Sequence, residues 1–335
     1  MNWQDQLIIL YVYICQHYET HLWMYGQRLS NNADPDLTDE EVLTIYLFGI
    51  IQKRTQVQDI YIYIQDHLHD WFPALPSYGG YVQRLNRLFA AFPALVEQIL
   101  EDFPNQGVLA QIRVVDSMPI ILANGRRSGS ARVADELANK GYCSSKDMWY
   151  YGVKLHILGL KRESRMPKPD YIGLTPGAEN DLTALRSILP QLHDGELYGD
   201  KIYADQTLKQ TLEKEQNIKL YTPVKKKKGQ SELAFADQLL STAISRVRQP
   251  IESLFNWIEE KTGIQMASKV RSYNGLIVHV FGRLAAAFFI LAFNPCVPRS
   301  AYSLVAESAT GKAVSYTHLR AHETSLHLVC RLLLE

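Results

Sequence analysis

The sequence predicts an all-helical N-terminal domain over residues 1–105, then an α/β domain over 106–296 with a mixed sheet and flanking helices. Three observations carry this. Apolar residues recur at helical spacing up to Phe103. After Pro104-Asn105-Gln106-Gly107 the texture turns to short β-rich runs. From Asn180 onward, helices and strands alternate. Apolar residues make up 47% of the chain and charged residues 21%, which fits a soluble globular protein and excludes a disordered one.

The elements follow in order. Thr38-Asp39-Glu40-Glu41 is a capping box, in which a hydroxyl and a carboxylate satisfy free amides at a helix start. Val42, Leu43, Ile45, Tyr46 and Ile50 continue it at helical spacing, as do residues 57–71 and 81–103, with Pro73, Pro76 and Gly79-Gly80 breaking the pattern between them. Residues 108–122, 148–160 and 170–175 read as strands. Asn180-Asp181 caps a helix reaching about Leu192, and His193-Asp194-Gly195 is a turn. A strand over 196–200, a helix over 206–216 and a strand over 219–224 come next. Residues 232–260 read as a helix, interrupted near Pro250 and closed by Gly263. Three consecutive strands predict antiparallel pairing, and the later alternation predicts parallel additions covered by helices. This is the element order of the ribonuclease H-like fold.

Three acids stand out against this frame. Asp116 lies in the run Arg113-Val114-Val115-Asp116-Ser117-Met118-Pro119-Ile120, where an unpartnered carboxylate is costly. Asp200 ends Glu196-Leu197-Tyr198-Gly199-Asp200, and Glu252 lies in Pro250-Ile251-Glu252-Ser253-Leu254-Phe255. Two strand-borne aspartates and one helix-borne glutamate could hold a pair of Mg²⁺ ions, with Mn²⁺ as a substitute, and such a site cuts and joins phosphodiester bonds. The bland reading is three capping or surface acids. Asp205 and Glu259 are alternates, each a short step along the chain.

The net charge is zero, but it is unevenly spread: residues 1–60 hold three Lys/Arg against eight Asp/Glu, and residues 109–175 hold eleven against six. A basic segment around an acidic site suits a polyanionic substrate. The cysteines Cys15, Cys143, Cys296 and Cys330 are scattered without metal-ligand spacing, which argues against zinc and for free thiols. The N-terminus lacks a basic leader and a cleavage site, so a cytoplasmic location is expected. The apolar runs 7–15 and 284–293 are too short to span a bilayer and read as buried helices. There is no nucleophile elbow, phosphate loop or dinucleotide fingerprint.

The chain resembles the DDE transposases of bacterial insertion sequences. The matching segments are Val115-Asp116-Ser117-Met118-Pro119, Lys140-Gly141-Tyr142-Cys143 leading to Tyr150-Tyr151-Gly152-Val153-Lys154-Leu155-His156, Gly199-Asp200-Lys201-Ile202-Tyr203 and Arg248-Gln249-Pro250-Ile251-Glu252. Ser272-Tyr273-Asn274-Gly275-Leu276 and His279-Val280-Phe281-Gly282 extend it, so that it covers roughly residues 30–295. Many relatives carry a tyrosine and a lysine flanking the Arg–Glu core; here those positions are Ser245 and Glu259.

The resemblance implies a ribonuclease H-like catalytic domain, Mg²⁺-dependent cleavage at element ends and strand transfer into target DNA. Asp116 would bridge both metals, with Asp200 and Glu252 each holding one. It also implies terminal inverted repeats and target DNA as partners, and a homo-oligomer, expected to be a dimer, because two ends must be joined in one complex. The alternatives are a defective or domesticated nuclease of the same fold, and a non-catalytic DNA-binding protein.

The expected DNA contacts are Arg126, Arg127, Lys154, His156, the run Lys225-Lys226-Lys227-Lys228, Arg248 and Arg271. Arg126, Arg127 and Arg132 follow the Asp116 strand in a Gly/Ser-rich stretch expected to order on DNA. Lys154 and His156 face substrate if their side of the strand lies beside Asp116; otherwise His156 is a satisfied core histidine. Arg248 either binds phosphate or pairs with Glu252 one helical turn away. In the helical domain, expected to bind DNA ends or dimerise, Arg84, Arg87, Tyr78 and Tyr81 are the better DNA candidates.

Residues 297–314 read as a C-terminal extension. Residues 315–335, with His318, His322 and His327, resemble translated sequencing-adapter read-through and are expected to have no role in metal binding. Recovery of the gene with a different continuation after Val314 would support this; an identical tail in an independently cloned gene would refute it.

Overall fold

The computed structural model describes residues 2–26, 35–144, 146–226, 230 and 232–293. Lys227, Lys228, Cys296, Cys330 and the 297–314 and 315–335 segments lie outside the described residues. The chain divides into two compact units: Met1–Asp102 together with the residues from Ile277 on, and Phe103–Leu276.

The first unit is helical. It contains α1 (Trp3–His17), α2 (Asp39–Ile51), α3 (Val57–His67), α4 (Tyr78–Arg87) and α5 (Ala91–Glu101). The capping box forms: the Thr38 amide donates to Glu41 Oε2 at 2.6 Å and the Glu41 amide to Thr38 Oγ1 at 3.2 Å. The helix it starts is buried on every face from Glu41 to Ile50. Gly79-Gly80 does not break the chain. The pair sits in the first turn of α4, where the amides have no intrahelical partner, and Ser77 caps it.

The second unit carries β1 (Val108–Asn124), β2 (Asn139–Cys143), β3 (Met148–Arg162), β4 (Arg165–Pro176), α6 (Asp181–Ile188), β5 (Gly195–Tyr198), α7 (Gln206–Glu215), β6 (Ile218–Tyr221) and α8 (Phe235–Thr262). The helical stretch α9 (Tyr273–Ile277), a π turn and α10 (Arg283–Phe293) ends the described chain. The sheet runs β2-β3-β1-β5-β6, with β4 also paired to β3. β1 is antiparallel to β3, which is antiparallel to β4, while β5 and β6 join β1 in parallel. This mixed six-stranded sheet with flanking helices is ribonuclease H-like. The short β2 is not expected from the sequence, because Asn139-Lys140-Gly141 carries no β-branched pattern.

One sheet face is closed by Val115 and Leu158 packed with Leu185 of α6, Leu208 and Leu212 of α7, Leu197, Leu220 and Tyr203. Each such side chain contributes about 1.5–3 kcal/mol of burial. α8 packs against β1, β4 and β5, and its Ile251, Leu254, Phe255 and Ile258 are buried. It runs unbroken through Pro250 for 28 residues and ends at Gly263, whose φ of 61° is left-handed. The expected interruption is absent. Pro250 only deprives the Arg246 carbonyl of one backbone donor.

α10, expected from the sequence within 106–296, lies in the first unit. It packs on α2 and α5 in the helical unit, because Leu284, Ala285, Ala286, Ala287 and Phe288 are fully buried there. It also lengthens the apolar run: Tyr273–Phe293 spans 21 residues, long and apolar enough to cross a bilayer, with 72% of its most apolar window buried in the fold.

Candidate active site

Asp116 lies mid-β1. Asp200 follows β5, where β5 and β1 run parallel and in register from Ile112↔Glu196 to Val114↔Tyr198. The sheet therefore sets the end of β5 beside Asp116. Gly199 is required at this turn: a Cβ there would stand 2.7 Å from the Tyr203 ring. Asp200 begins the short 3₁₀ turn Lys201–Tyr203 without spending its side chain on a cap. Glu252 projects from α8 one turn after Arg248.

Arg248 gathers the three. Its guanidinium is buried and lies 3.1 Å from Asp116 Oδ2, 3.7 Å from Asp200 Oδ1 and 3.3 Å from Glu252 Oε1. Both readings of Arg248 from sequence concerned phosphate or Glu252; the geometry adds two further carboxylates. The alternates are used elsewhere. Asp205 Oδ1 caps α7 by accepting from the Leu208 amide at 2.7 Å, and Glu259 Oε2 accepts from the Gln265 amide at 2.7 Å.

One cation faces three anions. Burial pushes the Asp116 carboxyl up to about 6; Arg248 and the Ser117 amide oppose this, and Asp200 and Glu252 add to it. Among the described residues no three His, Cys, Asp or Glu side chains are drawn together as a preassembled metal cluster. The donor set nonetheless fits Mg²⁺: three hard carboxylate groups, two charges short of neutrality, tied to one another only through a guanidinium.

The sign of the Asp116 shift yields a test. Its folded pKa exceeds the ordinary 3.8, so ionisation costs the metal-free fold. That cost is absent below about pH 4 and complete above about pH 6. Asp116→Asn is expected to stabilise the metal-free protein above pH 6, by at most about 3 kcal/mol, and to leave it unchanged at pH 4. Denaturant unfolding at the two pH values checks this.

Lys154 and His156 do not join this cluster. The register pairs Asp116 with Ile157, Ser117 with His156 and Pro119 with Lys154. Opposed residues share a face, so both lie on the Ser117 side, one residue out of step with Asp116. Lys154 Nζ donates to Asp181 Oδ1 at 3.0 Å and to the Glu179 carbonyl at 2.7 Å. His156 Nε2 lies 2.8 Å from Thr175 Oγ1, and burial lowers its pKa to about 4, opposed by the Asp181 carboxylate and aided by Lys154. His156 is buried, and Lys154 is partly buried with its ammonium engaged inside the domain. Asp181, which sequence reasoning read only as part of a cap, is itself buried and accepts from Ser117 Oγ at 3.1 Å. No sequence signal separates it from an ordinary first-turn acid.

The remaining cations divide. Arg126 and Arg127 are exposed on the 3₁₀ turn Gly125–Gly129, in which Ser128 Oγ donates to the Gly125 carbonyl at 2.7 Å. Lys225 and Lys226 are exposed after β6. Arg271 is exposed and donates to the Ser268 and Val270 carbonyls. In the helical unit Arg84 is held by Asp39 and the Leu37 carbonyl, and Tyr81 is buried, so neither offers a free DNA contact; Tyr78 is exposed.

The family model described as a transposase DDE domain matches residues 106–272 of the chain, a span that contains Asp116, Asp200, Arg248 and Glu252. No curated protein matches it.

Proposed function

Residues 106–272 belong to the transposase DDE-domain family, and from this we propose that the chain cuts DNA at element ends and joins them to target DNA in a Mg²⁺-dependent reaction at Asp116, Asp200 and Glu252. The observation that carries the proposal is the single buried guanidinium within 3.7 Å of all three carboxylates. Three acids from β1, from the end of β5 and from α8, far apart in sequence, thus converge on one cation.

Asp116, Asp200 and Glu252 would hold the ions. The chemistry supplied by bound Mg²⁺ is activation of a water or 3′-hydroxyl and stabilisation of the departing 3′-oxygen. The sheet supplies orientation: β1 and β5 fix two carboxylates on rigid backbone, and α8 brings the third. Arg248 would offer planar donors suited to a phosphate oxygen. The exposed cations Arg126, Arg127, Lys225, Lys226 and Arg271 would neutralise backbone phosphates. Arg126→Ala and Arg127→Ala are each expected to weaken binding to all DNA sequences alike. Each should also reduce the slope of log affinity against log salt by about 0.9 for every phosphate that the variant leaves unneutralised. Fluorescence-anisotropy titrations at several salt concentrations measure it.

A labelled-end assay with Mg²⁺ separates the readings. A joined product is the expected result. Cut product alone indicates a nuclease of the same fold, and a shifted band with neither indicates a DNA-binding protein without catalysis.

A further inference from the structure

We propose that Asp181 is a positioning residue for Asp116, acting through Ser117 from behind the site, and that Lys154 holds Asp181 in place. This rests on the metal-site reading above.

The face of the sheet opposite Asp116 carries an apolar core, built on Val115, Leu158 and the leucines of α6 and α7, with the His156–Thr175 pair on the same face. Asp181 is buried beside this core, with Lys154 and Ser117 partly buried around it, and a buried carboxylate is costly unless it is partnered. Here the partners form a connected path. Lys154 Nζ reaches Asp181 Oδ1 at 3.0 Å and the Glu179 carbonyl at 2.7 Å. Asp181 Oδ2 accepts from Ser117 Oγ at 3.1 Å. The Ser117 amide donates to Asp116 Oδ1 at 2.9 Å. Asp181 thus grips the residue whose own backbone orients the candidate metal-binding carboxylate. Side chains alternate along β1, so Ser117 can be held from one face while Asp116 is presented on the other. Asp116 Oδ2 is meanwhile taken by Arg248 at 3.1 Å. Both oxygens are therefore assigned, one to the strand and one to α8.

A pure folding staple needs none of this. An ion pair between β3 and α6 would hold the helix to the sheet without touching β1. The bond to Ser117 is the part that a staple does not explain. Outer partners of metal-binding carboxylates set the orientation of the ligand, and their loss typically weakens metal affinity by about 10–100-fold.

The test uses the full chain. Mn²⁺ binding is measured by isothermal titration calorimetry at neutral pH for wild type, Asp116→Asn, Ser117→Ala, Asp181→Asn and the Ser117→Ala/Asp181→Asn pair, with thermal unfolding recorded for each. Asp181→Asn and Ser117→Ala are each expected to weaken Mn²⁺ binding by about 10–100-fold. The pair should bind no more weakly than the weaker single variant, because both changes break one path. Ser117→Ala, which deletes a single hydroxyl, should unfold close to wild type and so keeps the test open if Asp181→Asn folds poorly. Wild-type Mn²⁺ affinity in Ser117→Ala, or losses that multiply in the pair, would overturn the inference and leave the site reading intact. A wild-type chain that binds no Mn²⁺, or an Asp116→Asn chain that binds it as wild type does, would overturn the site reading, and this inference with it.

Discussion

Asp116→Asn is expected to reduce Mg²⁺-dependent cleavage and joining by about 10³-fold or more, since metal stabilisation of the transition state amounts to several kcal/mol. DNA binding should be nearly unchanged. Asn keeps an oxygen that can accept from the Ser117 amide, so the strand is not disturbed, while the charge that a divalent ion needs is gone. Asp200→Asn and Glu252→Gln should follow the same pattern, although both side chains are about half exposed, at 49% and 54%, and contribute less to the fold. Labelled-end cleavage and a mobility-shift titration on the same preparations provide the comparison. Cleavage by Asp116→Asn with Mg²⁺ would mean that the site has been misassigned.

Arg248→Ala should have the opposite signature. It leaves three carboxylates facing one another without a cation, one of them largely buried. Removing one partner of a buried ion pair costs about 3–5 kcal/mol; half-exposed Asp200 and Glu252 keep part of their hydration, which places the expected loss near 3 kcal/mol or below. Mg²⁺ or Mn²⁺ should then restore stability, and raise the unfolding temperature of Arg248→Ala more than that of wild type, because the ions supply the missing positive charge without competition from a guanidinium. Thermal unfolding with and without Mn²⁺ measures this. A variant that melts lower and gains nothing from the metal would show Arg248 to be a folding residue only.

Of the three acids that Arg248 gathers, Asp116 stands out in the sequence by its apolar strand, whereas Asp200 at a strand end and Glu252 on a helix stand out only through the motifs around them. The sheet order is legible because three strands in succession followed by alternation leave few topologies. The parity of β3 against β1 is not. Alternation puts Lys154 and His156 on one face of their own strand, and only the cross-strand register fixes which face that is; a slip of one residue moves every side chain to the other side. Asp181 is hidden for a different reason. Asn180-Asp181 reads as a helix start and is one, since the Asn180 side chain caps α6, so nothing in the motif signals that the Asp181 carboxylate also reaches Ser117 across 64 residues of sequence. Pro250 misleads in turn. It reads as a helix interruption, but α8 continues, and this continuity keeps Arg248 and Glu252 on one face. The home of α10 is likewise settled by packing on α2 and α5 and not by order along the chain.

A metal site formed jointly by Asp116, Asp200 and Glu252 has a crystallographic signature. It is tested most directly by anomalous scattering from crystals of the protein grown with Mn²⁺. An anomalous peak is expected at coordination distance, about 2.0–2.6 Å, from a carboxylate oxygen of Asp116 and from at least one of Asp200 and Glu252, with Arg248 turned away from the oxygens that bind it. Saturating Mn²⁺ with no peak at Asp116, and the Arg248 ion pairs intact, would contradict it.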